Sequence, residues 1–143
     1  MASDYKSIAS KIKFEGRAFI DGKYVDAIDG EKFENINPAT GDKLCTVSKC
    51  NHKDVDLAVK VSRKAFNSGV WSRTSPEFRK DVLLKFAELL RKHGEENSVL
   101  ECIDTGKLIG DCINEVANDA PMHFQWYGEL IDKVFGKVGP TEP

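Results

Sequence analysis

Helical periodicity between residues 74 and 107 constrains the fold of this sequence more than any other feature. Apolar side chains recur in this stretch at steps of three and four residues, the spacing that places them on one face of a helix. Charged residues fill most of the positions between them. The apolar set comprises Phe78, Val82, Leu83, Phe86, Leu89 and Leu90. Because such a helix draws most of its stability from packing, the fold must supply a surface that covers this face.

The residues around this stretch predict where its helices begin and end. Thr74 and Ser75 are alternative N-caps, because Thr74 forms a capping-box pattern with Glu77 and Ser75 is followed by a proline that suits the first helical position. Gly94 is predicted to end the first helix as a left-handed C-cap. A second, shorter helix is predicted from Glu95 to Ile103, and it leads into a polar turn.

Two further amphipathic segments flank this region. Asp54 is predicted to cap a helix that runs to about Asn67 and ends at Gly69. Its predicted inner face consists of Val55, Ala58, Val59, Ser62, Ala65 and Phe66. The last helical pattern extends from Asp111 to Phe135, and Pro121 within it predicts a kink or a division into two helices.

The first 50 residues predict strands after a short N-terminal helix. Two three-residue strands, Ala18–Ile20 and Lys23–Val25, flank an Asp-Gly pair that favours a type I′ hairpin turn. Lys32–Ile36 and Lys43–Ser48 are also predicted as strands, separated by a segment rich in turn residues. These strands are too few and too short for a self-sufficient sheet. The helices must therefore pack on one another or on a sheet that this chain does not contain.

Length and composition indicate a single folded domain over residues 1–143. Hydrophobic residues make up 41% of the chain and charged residues 31%, as in soluble globular proteins. Lysine and arginine total 21 against 23 acidic residues, so a net charge of −2 gives no reason to expect nucleic-acid or anionic-membrane binding. No apolar run is long enough to span a membrane, and the N-terminus lacks the apolar centre of a secretory signal. We therefore expect a cytoplasmic location.

No local motif reveals an active site. The glycines form neither a dinucleotide-binding nor a phosphate-binding loop, and no nucleophile elbow is present. The four cysteines are Cys45, Cys50, Cys102 and Cys112. Their spacing does not match a zinc site, and we expect four reduced thiols. Glu101 and Asp104 could share a cation near a helix end, although a solvated helix terminus explains the same pattern.

Phrases along most of the chain, in order, give it a resemblance to a known family. They are Phe19–Tyr24, Asn37–Gly41, Asp54–Val59, Ala65-Phe66, Trp71, Arg79–Leu90, Leu100–Lys107 and Trp126-Tyr127. Together they resemble the N-terminal part of the aldehyde dehydrogenase superfamily, and most of all its γ-glutamyl-γ-aminobutyraldehyde dehydrogenase-like branch. The resemblance implies an α/β family fold. This chain would be a mostly α N-terminal fragment of the cofactor-binding domain, with a β-hairpin but without the parallel sheet.

The resemblance implies oxidation of aldehydes to carboxylic acids with NAD or NADP. In that family a cysteine thiolate attacks the aldehyde, hydride passes to the nicotinamide, and a glutamate activates the water that hydrolyses the thioester. None of these groups falls within this chain, so we assign it no catalytic and no cofactor-binding residue and expect it to be inactive alone. A second hypothesis remains open, in which the chain is a free-standing interaction protein that pairs with full-length subunits.

The resemblance also implies three features of this chain itself. Asp104 matches a family aspartate that helps to hold a monovalent cation, with the backbone carbonyls of Asn35 and Ile36 as further ligands. A downstream ligand of the family site is missing from this chain. Leu108 stands where the family phrase continues with proline, so we expect the next helix to start less sharply. The hairpin near residues 18–25 resembles a piece of the family's oligomerisation region, which favours a homo-oligomer.

Overall fold

The computed structural model describes residues 4–137. Its α-helices are α1 (Tyr5–Ala9), α2 (His52–Ser68), α3 (Pro76–Lys92), α4 (Gly94–Thr105), α5 (Ile109–Cys112) and α6 (Ala120–Leu130), with a π-helical segment, Ile113–Asp119, between α5 and α6. Its strands are β1 (Ala18–Ile20), β2 (Lys23–Val25), β3 (Lys32–Ile36) and β4 (Lys43–Ser48). Helices dominate, and the strands form two separate antiparallel pairs. Between residues 4 and 137 there is no parallel sheet, as the sequence predicts.

The β1–β2 hairpin has the predicted strands and the predicted turn. Asp21 has φ 55° and Gly22 has φ 75°, so both central residues adopt the positive φ of a type I′ turn. Phe19 pairs with Tyr24 across the strands, and their rings meet edge to face with centroids 5.1 Å apart. The guanidinium of Arg17 lies 5.7 Å from the centre of the Tyr24 ring. The hairpin therefore carries an exposed aromatic pair at its middle register position.

Helix α2 begins at a different cap from the predicted one. Asn51, and not Asp54, is the N-cap, and its side chain accepts a hydrogen bond from the backbone N–H of Lys53 at 2.8 Å. Asp54 lies at the third helical position and completes the capping box by accepting from the N–H of Asn51 at 2.9 Å. The prediction failed because both positions carry cap-type residues. Gly69 ends the helix with φ 77°, as predicted.

Helix α3 begins at the second of the two predicted caps. The hydroxyl of Ser75 accepts from the N–H of Phe78 at 3.1 Å, and Pro76 is the first helical residue. Thr74 does not cap the helix, because its hydroxyl donates to the carbonyl of Trp71 at 2.7 Å. The Pro76 pattern thus decides between the alternatives.

Gly94 does not end α3, and this prediction was wrong. The chain passes through His93 into α4, whose first residue is Gly94, without a left-handed residue between the helices. A Cβ at Gly94 would lie only 2.8 Å from the Cβ of Ala117 in the π-helical segment. Close packing of α4 on that segment therefore explains the glycine at this position. The left-handed cap belongs to Gly106, which ends α4 with φ 75°.

The last helical pattern continues through Pro121 and does not split into two separate helices. Cys112, Asp119 and Ala120 all keep right-handed helical φ and ψ, and the hydrogen bonding changes from the π type to the α type at Ala120, next to Pro121. Helix α6 ends at Leu130, five residues before the predicted end at Phe135. There the backbone turns more tightly, because the N–H of Lys133 donates to the carbonyl of Leu130 at 2.8 Å.

The core is small and lies where α6 packs on α3 and where α4 packs on the π-helical segment. Phe86 and Phe124 meet edge to face with centroids 4.7 Å apart, and Gly128 brings α6 against Leu83. The apolar face of α3 nevertheless remains 40–49% exposed at Phe78, Val82, Phe86 and Leu89. The predicted inner face of α2 is even more open. Within residues 4–137, these faces lack the covering surface that their periodicity demands, and no helix there is long and apolar enough to cross a membrane.

The cysteines differ in burial, which predicts an order of reactivity. Cys112 is fully buried, and burial raises the pKa of its thiol, whereas Cys50 is exposed. Because the thiolate is the nucleophile, we expect iodoacetamide to modify Cys50 first and Cys112 only after unfolding. Cys45 and Cys102, which are half-buried, should react at intermediate rates. Peptide mapping by mass spectrometry measures this order, and early labelling of Cys112 would contradict the packing of α5.

Candidate functional site

The structure brings the side chains of Asn35 and Asp104 together, although the predicted ligand on Asn35 is its backbone carbonyl. The side-chain amide of Asn35, on β3, donates a hydrogen bond to the carboxylate of Asp104, near the end of α4, with 2.5 Å between Nδ2 and Oδ1. These residues are 69 positions apart in sequence. A contact this distant in sequence forms only when the strand pair docks on the helix end. We call the place where Asn35 meets Asp104 the β3–α4 junction.

A bulge and a tight loop fix the strand side of the junction. The β3–β4 register shifts between Asn35 and Ile36, so Ile36 pairs with Lys43 directly after the irregular step. Bulges disrupt the ladder locally and bend the strand. The loop that follows closes on itself, since the N–H of Asn37 donates to the carbonyl of Asp42 at 2.8 Å. Ile36, the third predicted ligand, therefore lies at the one irregular step of this strand pair.

Gly106 determines how closely the end of α4 approaches the strand pair at the junction. Gly106 adopts φ 75°, and a Cβ there would lie 2.8 Å from the ring of Pro38. Only a residue without a side chain allows the loop after β3 to approach the end of α4 this closely. The turn beyond Gly106 is held by an ion pair between Lys107 and Glu115, which raises the pKa of the Lys107 ammonium. The Asp104 carboxylate is thus presented from a well-defined helix end.

The donor set that the resemblance implies differs in kind from a zinc site. It would consist of one carboxylate and two backbone carbonyls, all oxygen ligands of the kind that hard cations accept. No group of three or more His, Cys, Asp or Glu side chains occurs among residues 4–137, so a thiolate- or imidazole-rich metal centre is not formed there. The short contact from Asn35 shows that a positively polarised group already lies against Asp104.

Sequence reasoning missed three residues that build the junction: Gly106, Lys107 and Glu115. Gly106 was not predicted as a helix cap, although its position directly after a helical pattern is the usual signal for one. The Lys107–Glu115 pair spans eight residues and a helix break, so no helical spacing could reveal it. The resemblance alone pointed to Asn35 and Asp104, because nothing in their local sequence links them.

The residues that the structure describes do not form a dinucleotide-binding site. The described part of the chain contains no parallel strands and no strand-to-helix turn rich in glycine, which are the elements that hold a pyrophosphate in nucleotide-binding α/β folds. The cysteines lie in an N-terminal strand, a loop and two helices, and none forms a hydrogen-bonded pair with a histidine base in residues 4–137. Residues 4–137 therefore present neither a pyrophosphate-binding turn nor a hydrogen-bonded cysteine–histidine pair.

Comparison with known proteins decides the family. Residues 24–143 match the aldehyde dehydrogenase family over most of the chain. The chain belongs to the aldehyde dehydrogenase family. Among its relatives, the aminoacetaldehyde dehydrogenase of Pseudomonas aeruginosa is 40% identical over 96% of this chain. The NADP/NAD-dependent aldehyde dehydrogenase PuuC of Escherichia coli is 39% identical over 93% of it.

Solved structures of aldehyde dehydrogenases share the fold described here. The γ-glutamyl-γ-aminobutyraldehyde dehydrogenase of Burkholderia cenocepacia is 42% identical over 97% of this chain, with a TM-score of 0.92. The indole-3-acetaldehyde dehydrogenase AldA of P. syringae, solved with NAD+, is 40% identical over 96%, with a TM-score of 0.91. This aldehyde dehydrogenase chain spans about 28% of the length of such relatives and matches their N-terminal part.

Proposed function

We propose that a full-length protein carrying this sequence oxidises aldehydes to carboxylic acids with NAD+ or NADP+. The observation that supports this most is identity of about 40% across nearly the whole chain to enzymes named as aldehyde dehydrogenases, together with TM-scores near 0.92. Of the two hypotheses that the sequence leaves open, we favour this one over a free-standing interaction protein. The names of several relatives, which specify amino-substituted aldehydes, further favour substrates of that class.

The test is a steady-state assay of the full-length protein with a panel of aldehydes and both cofactors. We expect NAD(P)H formation with ω-amino aldehydes at a higher kcat/KM than with simple alkyl aldehydes of equal length. The 143-residue chain serves as the control and should produce no NAD(P)H and bind no NADH, because its described residues do not fit the cofactor. Turnover by the 143-residue chain would contradict the proposal that the catalytic groups lie outside it.

We also propose that Asp104, with the backbone carbonyls of Asn35 and Ile36, holds a monovalent cation. The carboxylate lies at the junction with Asn35, and the donor set suits such an ion. A cation that binds only the folded chain must stabilise it. We therefore expect a higher unfolding midpoint in NaCl or KCl than in choline chloride at equal ionic strength. Asp104→Asn should remove the difference, and its persistence in that variant would place the cation elsewhere.

The hairpin near residues 18–25 is proposed to contribute to a homo-oligomer. Phe19 and Tyr24 are more than half exposed although they pair with each other, and aromatic side chains are enriched in protein interfaces. The double variant Phe19→Ser/Tyr24→Ser of the full-length protein should show a lower mass by light scattering. The matched control is Phe33→Ser, which changes a similarly exposed phenylalanine on the other strand pair. An unchanged mass in the double variant would rule out a contribution of the hairpin to the oligomer.

A further inference from the structure

The apolar face of α3 forms an open groove on the surface of the described structure. Its apolar lining consists of Phe78, Val82, Phe86 and Leu89. These side chains remain 40–49% exposed. Helix α6 packs on another side of α3, where Gly128 approaches Leu83, and so leaves the groove uncovered. A contiguous apolar surface of this kind is typical of an interaction site.

Two opposite charges border the groove on one side. Asp81 and Lys85 complete its lining. Successive residues of a helix are rotated by about 100°, so both charged residues lie on the same side of Val82. Lys85 contacts Glu88, at 3.0 Å in an exposed ion pair. The Asp81 carboxylate has no hydrogen-bond or ion-pair partner among residues 4–137, so it can bind a cation of another molecule.

The charges and the apolar side chains of the groove share one centre along the helix. The midpoint between Asp81 and Lys85 is Leu83. The apolar pair Val82 and Phe86 is centred one residue later, and the two outermost apolar residues of the groove are centred between these positions. A pattern with a single centre matches itself when a second copy is related to it by a two-fold axis at that centre.

We propose that α3 is a self-association surface through which two copies of this chain pair antiparallel. A two-fold axis across the helices keeps the charged edges of both copies together, so Asp81 of each copy faces Lys85 of the other. A parallel pair would separate the two charged edges. A partner of unrelated sequence would not require one common centre. This surface lies on a different element from the β1–β2 hairpin and is independent of the aldehyde chemistry proposed above.

The size of the groove predicts a weak dimer. From Phe78 to Leu89 it extends about 16 Å, since each helical residue rises by about 1.5 Å. Because its apolar side chains are already partly covered by their own chain, it offers less than the roughly 800 Å² per partner of a standard interface. We therefore expect reversible association of the 143-residue chain that depends on protein concentration and weakens with salt, which screens exposed charges.

Charge reversal, measured by sedimentation equilibrium at low salt, tests the pairing. Asp81→Lys alone or Lys85→Asp alone would set like charges against each other at both symmetric contacts. Each should raise the dimer dissociation constant about five- to tenfold. The double variant Asp81→Lys/Lys85→Asp should restore the original constant, because opposite charges face each other again. The matched controls are Glu34→Lys and Lys43→Asp, which make the same changes in net charge on the β3–β4 pair and should have little effect.

Circular dichroism of each variant should match that of the unsubstituted chain, because Asp81 and Lys85 are exposed. If a reversal perturbs the spectrum, Asp81→Asn replaces it and should raise the dissociation constant about two- to threefold. A chain that stays monomeric at all concentrations would overturn the proposal and leave the groove to a different partner. A dimer that the single reversals do not weaken, or that the double variant does not restore, would overturn it too. So would association beyond the dimer, because a two-fold interface is closed.

Discussion

Replacement of Gly94 by leucine is expected to lower the free energy of unfolding by about 2–3 kcal/mol, the usual cost of overfilling a packed contact. Even a Cβ at this position would lie 2.8 Å from the Cβ of Ala117 and 3.1 Å from its Cα. Because the second atom belongs to the backbone, rotation of a side chain cannot relieve the clash. Helix α4 and the π-helical segment must separate. For a chain of this length the midpoint of thermal unfolding should fall by roughly 10 °C.

The matched control is Gly110→Leu. Gly110 is also a helical glycine, but a Cβ there would have no heavy atom within 4 Å, so the variant should be as stable as the unsubstituted chain or slightly more stable. Circular dichroism at increasing temperature measures both variants.

The variant Gly94→Ala separates two explanations of the glycine at this position. If Gly94 were a left-handed cap, alanine and leucine would cost nearly the same, because the cost would come from φ. Steric packing against Ala117 predicts a smaller loss for alanine.

The sequence predicted those parts of the fold that neighbouring residues determine. The Asp21-Gly22 turn fixes the register of its hairpin, because a type I′ turn of two residues leaves no other pairing. Ser75 caps α3 and Pro76 is its first residue, as their local sequence indicates. In each case the physical cause lies within a few residues of its effect.

The failures concern residues whose roles depend on distant parts of the chain. A glycine between two helical patterns can be a cap or a close contact, and only the position of Ala117 decides for Gly94. Asn51 and Asp54 are both residues that often cap helices. Asp54 lies at the third helical position, where it also accepts a hydrogen bond from the N–H of Ile28, 26 residues earlier in the chain. Helix α6 ends at Leu130 without any glycine or proline to mark the place.

The candidate site lay beyond what local patterns could predict. Asn35 is in a strand and Asp104 is in a helix, and neither segment carries a motif that implies the other. The resemblance supplied the pairing, and the structure adds the hydrogen bond between the two side chains.

The exposed apolar face of α3 could be predicted from local sequence, but its covering surface could not. Periodicity correctly predicts that α3 has an apolar face, but it contains no information about the surface that covers it.

Replacement of Asp54 by asparagine is expected to lower the unfolding midpoint by roughly 5 °C at neutral pH, although the shape of the side chain is retained. Asp54 is buried, and its two oxygens accept from the N–H groups of Ile28 at 2.8 Å and Asn51 at 2.9 Å. An asparagine can accept only one of these bonds and turns a donor toward the other N–H. The segment before β3 would then lose its attachment to the start of α2.

The pH dependence distinguishes this charge effect from a loss of packing. The hydrogen bonds from Asn51 and Ile28 lower the pKa of Asp54 below its ordinary value of 3.8. A carboxyl with a lowered pKa stabilises the fold fully above its unfolded pKa, and this contribution disappears as the pH falls through the folded pKa. The midpoint difference between the unsubstituted chain and Asp54→Asn should therefore be constant near neutrality and shrink below about pH 4. Asp29→Asn, which removes an exposed carboxylate bonded to the Asn51 side chain, should cost far less. A difference for Asp54→Asn that persists unchanged in acid would mean that the loss comes from the N–H donor that asparagine introduces and not from the charge of Asp54.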